Sequence, residues 1–206
     1  MQIDFLFAIA VLIMSVVLHE VSHGYVAYIL GDPTAKYAGR LTLNPLKHLD
    51  LFGSVIIPIF TYLAGGFILG WAKPVPFNPY NLKNKKWGPA IVGIAGPATN
   101  FLVLLVFGLA LRFNGYISFL PASFFQIAAT VALINATLMI LNLIPIPPLD
   151  GSRVLQALLP YRWQNIQYVL ERYSFFFVLI FIFFIWPYLF LPIVGNLFKL
   201  ITGLAF

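Results

Sequence analysis

No cysteine occurs among the 206 residues, which excludes disulfides and thiolate metal sites. Charge is nearly as scarce. Only 9% of the residues are Asp, Glu, Lys or Arg, against roughly 25% in ordinary soluble domains. The six acidic side chains therefore each need a reason to be there. Twelve basic residues are present, but they lie between apolar runs rather than in clusters. That excludes a nucleic-acid footprint; Lys and Arg in such places set orientation in a membrane. The rest is apolar, with 61% hydrophobic and 17% aromatic residues. A soluble globule of this size cannot hide so much apolar surface. Lipid can accept it.

The first apolar run, residues 5–30, exceeds the roughly 20 residues a helix needs to cross hydrocarbon. It follows Met1-Gln2-Ile3-Asp4 without the basic stretch of a secretory signal, so it is expected to belong to the mature protein. Gly31-Asp32-Pro33 ends it. Residues 34–50 are polar, and the loose alternation over 37–43 predicts a short strand. Residues 51–72 are apolar again, interrupted by Pro58 and Gly65-Gly66. Further spans are expected at 89–112 and 121–144, with one or two more in 173–206. The fold class expected is an all-α polytopic membrane protein of about five or six transmembrane helices. It reads as one domain over 1–206, its core at 5–155.

Basic residues fall at 36–47, 73–86 and 153–172, which the positive-inside rule assigns to the cytoplasm. If so, residues 51–72 enter and leave on one side, and a re-entrant hairpin is preferred to a plain span.

His19-Glu20-Val21-Ser22-His23 reads H-E-x-x-H. At 3.6 residues per turn its two histidines sit about 40° apart on one helix face, so both rings can reach one metal. Glu20 falls beside them, where a carboxylate can take a proton from an activated water. Two imidazoles and a carboxylate in an apolar helix cost several kcal/mol unless paired or ligating, which favours a metal site over chance. A catalytic zinc takes three protein ligands. Asp150 is the preferred third, because it follows a proline-broken span that can carry it to the histidines' depth; Asp32, Asp50 and His48 are the alternatives. Asp32 otherwise reads as a turn residue, Asp50 as a helix cap and His48 as solvated at the interface. Asn100 reads as structural, and Ser22 and Thr99 with it as walls of a polar channel.

Three motifs together resemble the site-2 protease family of intramembrane zinc metalloproteases. They are His19-Glu20-Val21-Ser22-His23, Gly96-Pro97-Ala98-Thr99-Asn100, and the stretch from Asn142 through Pro145, Pro147 and Pro148 to Asp150-Gly151. Gly70-Trp71-Ala72-Lys73-Pro74-Val75-Pro76 is similar to a small bacterial and archaeal branch without a PDZ domain. The resemblance implies one Zn2+ held by His19, His23 and Asp150, Glu20 as catalytic base, and Asn142 near the active site. It also implies transmembrane protein substrates and a multi-pass protein of a prokaryotic cell membrane, its active site towards the cytoplasm. From the residues, Asn142 can donate to the oxyanion or simply bond across helices. Competing readings are a zinc-carrying transporter and a non-catalytic scaffold. Glu20 beside the metal argues against the first, and the full set of ligands and base against the second.

Overall fold

The computed structural model describes residues 5–50, 52–56, 60, 63, 72–116, 120–160 and 164–204. Its first helix, α1 (Phe5–Ile29), is a 25-residue apolar rod, about 37 Å long. A short helix α2 (Thr34–Tyr37) follows. Next come the long helices α3 (Gly88–Arg112) and α4 (Ala122–Asn142), then the shorter α5 (Gly151–Leu158) and α6 (Gln164–Arg172). Residues 174–202 are helical without a break: α7 (Ser174–Ile180), a wider π-helical stretch Phe181–Phe190 containing Pro187, and α8 (Leu191–Thr202). Proline at 187 cannot donate to the preceding turn, and a local widening absorbs the misfit.

Among the described residues, four helical stretches are long and apolar enough to cross a membrane: Leu6–Ile29, Gly88–Arg112, Ala122–Asn142 and Phe183–Thr202. The C-terminal region thus supplies one such span among the described residues. The hairpin expected at 51–72 falls mostly outside them, its proposed breaks at Pro58 and Gly65-Gly66 included. The strand expected over 37–43 does not form. That stretch is the end of α2, a turn with Gly39 at φ 64°, and bends. Local bonds take its backbone donors instead: Ala38 N–H to Thr34 O and Arg40 N–H to Ala35 O, both 3.0 Å. No strand occurs among the described residues.

α3 lies at the centre, packed against α1, α4, α5 and α8. Small side chains permit this closeness. Ala128, Ala132 and Ala136, at four-residue steps along α4, are fully buried against Leu104 and Leu111 of α3 and Val194, Phe198 and Ile201 of α8. In lipid, where burial of apolar surface offers little net drive, such close packing is what holds helices together.

The foot of α1 is tied down by Asp32, which is fully buried. Its carboxylate accepts from Thr34 N–H and O–H at 3.2 and 2.5 Å, Asn81 Nδ2 at 2.8 Å and Asn78 N–H at 2.6 Å. Burial raises the Asp32 pKa, but these four donors outweigh it and hold the carboxyl below its ordinary value. The expected turn role is real, and it extends to a clamp on the loop at 78–81. Asp32→Ala strands the donors and is expected to cost about 3 kcal/mol, read as a lower unfolding temperature. The carboxyl titrates below its unfolded pKa of about 3.9. The clamp is therefore at full strength above that value and fails as pH falls through the lower, folded pKa.

Candidate metal centre

α1 carries His19 and His23 one turn apart on the face turned to α3, with ring centroids 4.7 Å apart and planes at 84°. The turn after α4 brings the third group. Leu143 ends that helix, and three prolines prevent its continuation. Bonds from Ile146 N–H to Ile144 O and from Leu149 N–H to Ile146 O, both 2.9 Å, fold the stretch back. Asp150 emerges at the head of α5. Its Oδ2 lies 2.9 Å from His19 Nε2 and 3.0 Å from His23 Nε2. All three residues are buried, and their ligand atoms lie within 4.8 Å of one another.

The outer ring nitrogens are also committed. His19 Nδ1 donates to Asn100 Oδ1 at 2.5 Å, and His23 Nδ1 donates to Val92 O at 2.6 Å. Placing each ring hydrogen on Nδ1 leaves the Nε2 lone pair free, so both imidazoles are presented as metal ligands in one tautomer. Asp150 Oδ1 accepts from Arg153 Nη1 at 3.0 Å. Burial pushes the Asp150 carboxyl up; the two histidines gathered at Oδ2 and the Arg153 charge at Oδ1 outweigh it and hold the group well below the usual carboxylate range. A buried, ionised carboxylate and two oriented imidazoles suit a tetrahedral zinc. Ligand atoms around such an ion stand about 3.3 Å apart for bonds near 2.0–2.1 Å, close to the two histidine–aspartate separations of 2.9 and 3.0 Å.

Space for the cluster is made on α3. A Cβ on Gly96 would lie 2.5 Å from His23 Nε2 and nearer still to the His19 ring. One turn earlier, a Cβ on Gly93 would meet Asp150 O at 3.0 Å. Only glycine lets this helix come so close.

Glu20, on the neighbouring azimuth, is half-buried and accepts from Val75 N–H at 2.8 Å through Oε2. The loop supplying that N–H is itself held, since Arg40 Nη2 donates to Lys73 O at 2.7 Å and Lys73 N–H donates to His48 O at 2.9 Å. Arg153 also lies over the Phe77 ring, 4.9 Å from its centroid. The loop thus reaches both the carboxylate of Glu20 and the arginine that holds Asp150.

The other expectations divide. Asn142, at the end of α4, is half-buried and its amide donates to Leu138 O at 3.0 Å, within its own helix. The alternatives to Asp150 are engaged elsewhere: Asp32 in its clamp, Asp50 accepting from Gly53 N–H at 2.7 Å, and His48 bonded to Thr42 O at 2.9 Å. The Asp50 contact caps the turn that starts at Phe52, as expected. His48 is a correction, because it is 2% exposed rather than solvated, and its carbonyl accepts from Lys73 N–H at 2.9 Å. Asn100 is fully buried and bonded to His19 and, through Nδ2 at 2.7 Å, to Asn135, which agrees with the structural role expected of it and not with a place in a channel wall. The Ser22 hydroxyl turns back to His19 O at 2.6 Å. Sequence reasoning passed over Arg153 as part of a basic linker and Asn135 altogether. An asparagine in the middle of an apolar span was the available signal.

Comparison with known proteins bears on the same residues. The profile of peptidase family M50 matches residues 7–120 and 117–185. The chain belongs to this family. It is the site-2 protease family that the three motifs resemble, and membership makes the chain a membrane metalloprotease. A Bacillus subtilis protein named "Putative zinc metalloprotease YwhC" is 40% identical over 75% of this chain and 69% of its own length. The Mycolicibacterium smegmatis protein named "Putative zinc metalloprotease Rip2" is 35% identical over 74% of this chain and 57% of itself. A zinc metalloprotease of Methanocaldococcus jannaschii is 30% identical over 72% of this chain but only 33% of itself. The M50 chain here therefore spans between a third and just over two thirds of these relatives. No solved structure gives a significant match.

Proposed function

We propose that this M50 member is a zinc-dependent endopeptidase that hydrolyses peptide bonds in or beside transmembrane segments of other membrane proteins. In this reading His19, His23 and Asp150 hold one Zn2+, and Glu20 is the catalytic base. The observation that carries it is the convergence of His19 Nε2, His23 Nε2 and Asp150 Oδ2 from elements 131 residues apart in sequence. The zinc in the relatives' names fits that donor set.

Zinc bound there supplies Lewis acidity, which makes a water acidic near neutrality and a peptide carbonyl electrophilic. Glu20 takes the proton from the attacking water as its oxygen bonds the scissile carbon. It then returns the proton to the amide nitrogen as the C–N bond breaks. The Val75 N–H holds Oε2, leaving Oε1 to carry that proton. Asn142 is assigned to the substrate: by leaving Leu138 O, its amide becomes a donor for the developing oxyanion.

Depth supports an intramembrane site. His19 stands ten residues before the end of the span at Ile29, about 15 Å along the helix. The basic segments at 36–47, 73–86 and 153–172 favour a cytoplasmic-side opening in a prokaryotic cell membrane. Cleavage of a transmembrane substrate co-reconstituted in liposomes tests the reading. A zinc chelator is expected to abolish cleavage and added Zn2+ to restore it; cleavage that persists after zinc is stripped would sink the proposal.

A further inference from the structure

We infer that Asn135 is a positioning residue for the metal centre, fixing the tautomer of His19 from a neighbouring helix through Asn100. The inference rests on His19 being a zinc ligand, as proposed above, and extends the site by one residue outside all three motifs. Four side chains form the line: Ser15 and His19 on α1, Asn100 on α3 and Asn135 on α4. Asn100 and Asn135 are fully buried, and Ser15 and His19 are 4% and 5% exposed.

The direction of every bond along this line follows from its far end. Asn135 has a nitrogen 2.9 Å from Val131 O, a carbonyl that can only accept. The Asn135 amide must therefore turn Nδ2 that way, where it also donates to Ser15 Oγ at 2.9 Å. Its Oδ1 then faces Asn100, and can be satisfied only by receiving a proton from Asn100 Nδ2, at 2.7 Å. Asn100 is left with Oδ1 towards His19, so His19 Nδ1 must carry the ring hydrogen. Nε2 is consequently the bare nitrogen, the form that binds a metal. Each amide has one orientation that satisfies both neighbours, and inverting either would set acceptor against acceptor. Within a membrane-spanning bundle no bulk water repairs such a mismatch. His23 needs no relay, because its Nδ1 meets a backbone carbonyl directly.

The test compares full-length Asn135→Leu, Asn135→Asp and Leu104→Ala in detergent, with zinc affinity read by competition against a chromophoric chelator and stability by thermal unfolding. Leu at 135 keeps the branched shape, with somewhat bulkier methyls, and suits an apolar helix, yet leaves Asn100 Nδ2 without an acceptor. A buried Asp in its neutral form can still accept from Asn100 and donate to Val131 O. Outer-shell partners change metal affinity by about 10- to 100-fold. Asn135→Leu is expected to weaken zinc binding by about 10-fold and to perturb the visible bands of the cobalt(II)-substituted protein. Asn135→Asp is expected to stay close to wild type. Packing alone predicts the reverse order, Leu tolerated and Asp damaging. Leu104→Ala, in the same α3–α4 core, is expected to lower stability without changing zinc affinity. If Asn135→Leu does not fold, Asn135→Ala replaces it with the same expectation.

Unchanged zinc affinity in the Leu and Ala variants, or an equal loss in Leu104→Ala, overturns the relay. A His19→Ala protein that keeps its full zinc affinity overturns the ligand reading itself, and is distinguishable because the wild type is then bound elsewhere.

Discussion

Glu20→Gln is expected to lower peptide cleavage by about 100- to 10,000-fold, the range associated with losing a general acid–base group, while zinc content stays at that of the wild type. The substitution is nearly isosteric. Gln keeps a carbonyl oxygen for the Val75 N–H that Glu20 accepts at 2.8 Å, so the loop at 73–75 should stay in place. What the amide loses is the ability to take a proton. Substrate binding should change little, placing the effect in kcat rather than KM. Measured beside zinc content, the variant also separates the alternatives. A transporter needs no base beside its metal, and a scaffold has no cleavage to lose. Cleavage at the wild-type rate in this variant would remove Glu20 from the chemistry.

Asp150→Ala is expected to be as damaging by a different route. It removes one of three ligands and also strands Arg153, whose Nη1 bonds Asp150 Oδ1 at 3.0 Å. With one anionic ligand gone, the two imidazoles face the half-buried guanidinium across the gap. Zinc affinity should fall by more than the roughly 100-fold that the loss of an outer-shell partner can cause, and cleavage with it. Excess Zn2+ should restore little, since the remaining pair of nitrogens offers no third ligand. Equilibrium dialysis against a zinc buffer measures this directly, and retained affinity would reject Asp150 as a ligand.

Several of these features were legible in the residues alone because they depend on local geometry. The pairing of His19 with His23 needs only helical periodicity, and Asp150 stood out as an acidic residue just past a run of prolines. Arg153 and Asn135 were not legible, since their roles depend on which helix lies opposite. Arg153 sits three residues after Asp150, a spacing that any basic linker produces by accident. Asn135 acts on a ring 116 positions earlier, through a third helix. The burial of His48 was not legible for a related reason: loop burial follows no period, so nothing nearby in the sequence announces it. The strand expected at 37–43 failed on Gly39, where a left-handed turn broke the alternation that suggested it.

X-ray absorption at the zinc edge, on the wild-type chain in lipid, tests the ligand set most directly. The chain has three histidines, and His19 and His23 are the two assigned to the metal, so two imidazole nitrogens and carboxylate oxygen are expected around the zinc. A third imidazole could come only from His48, and finding one would contradict the assignment of Asp150.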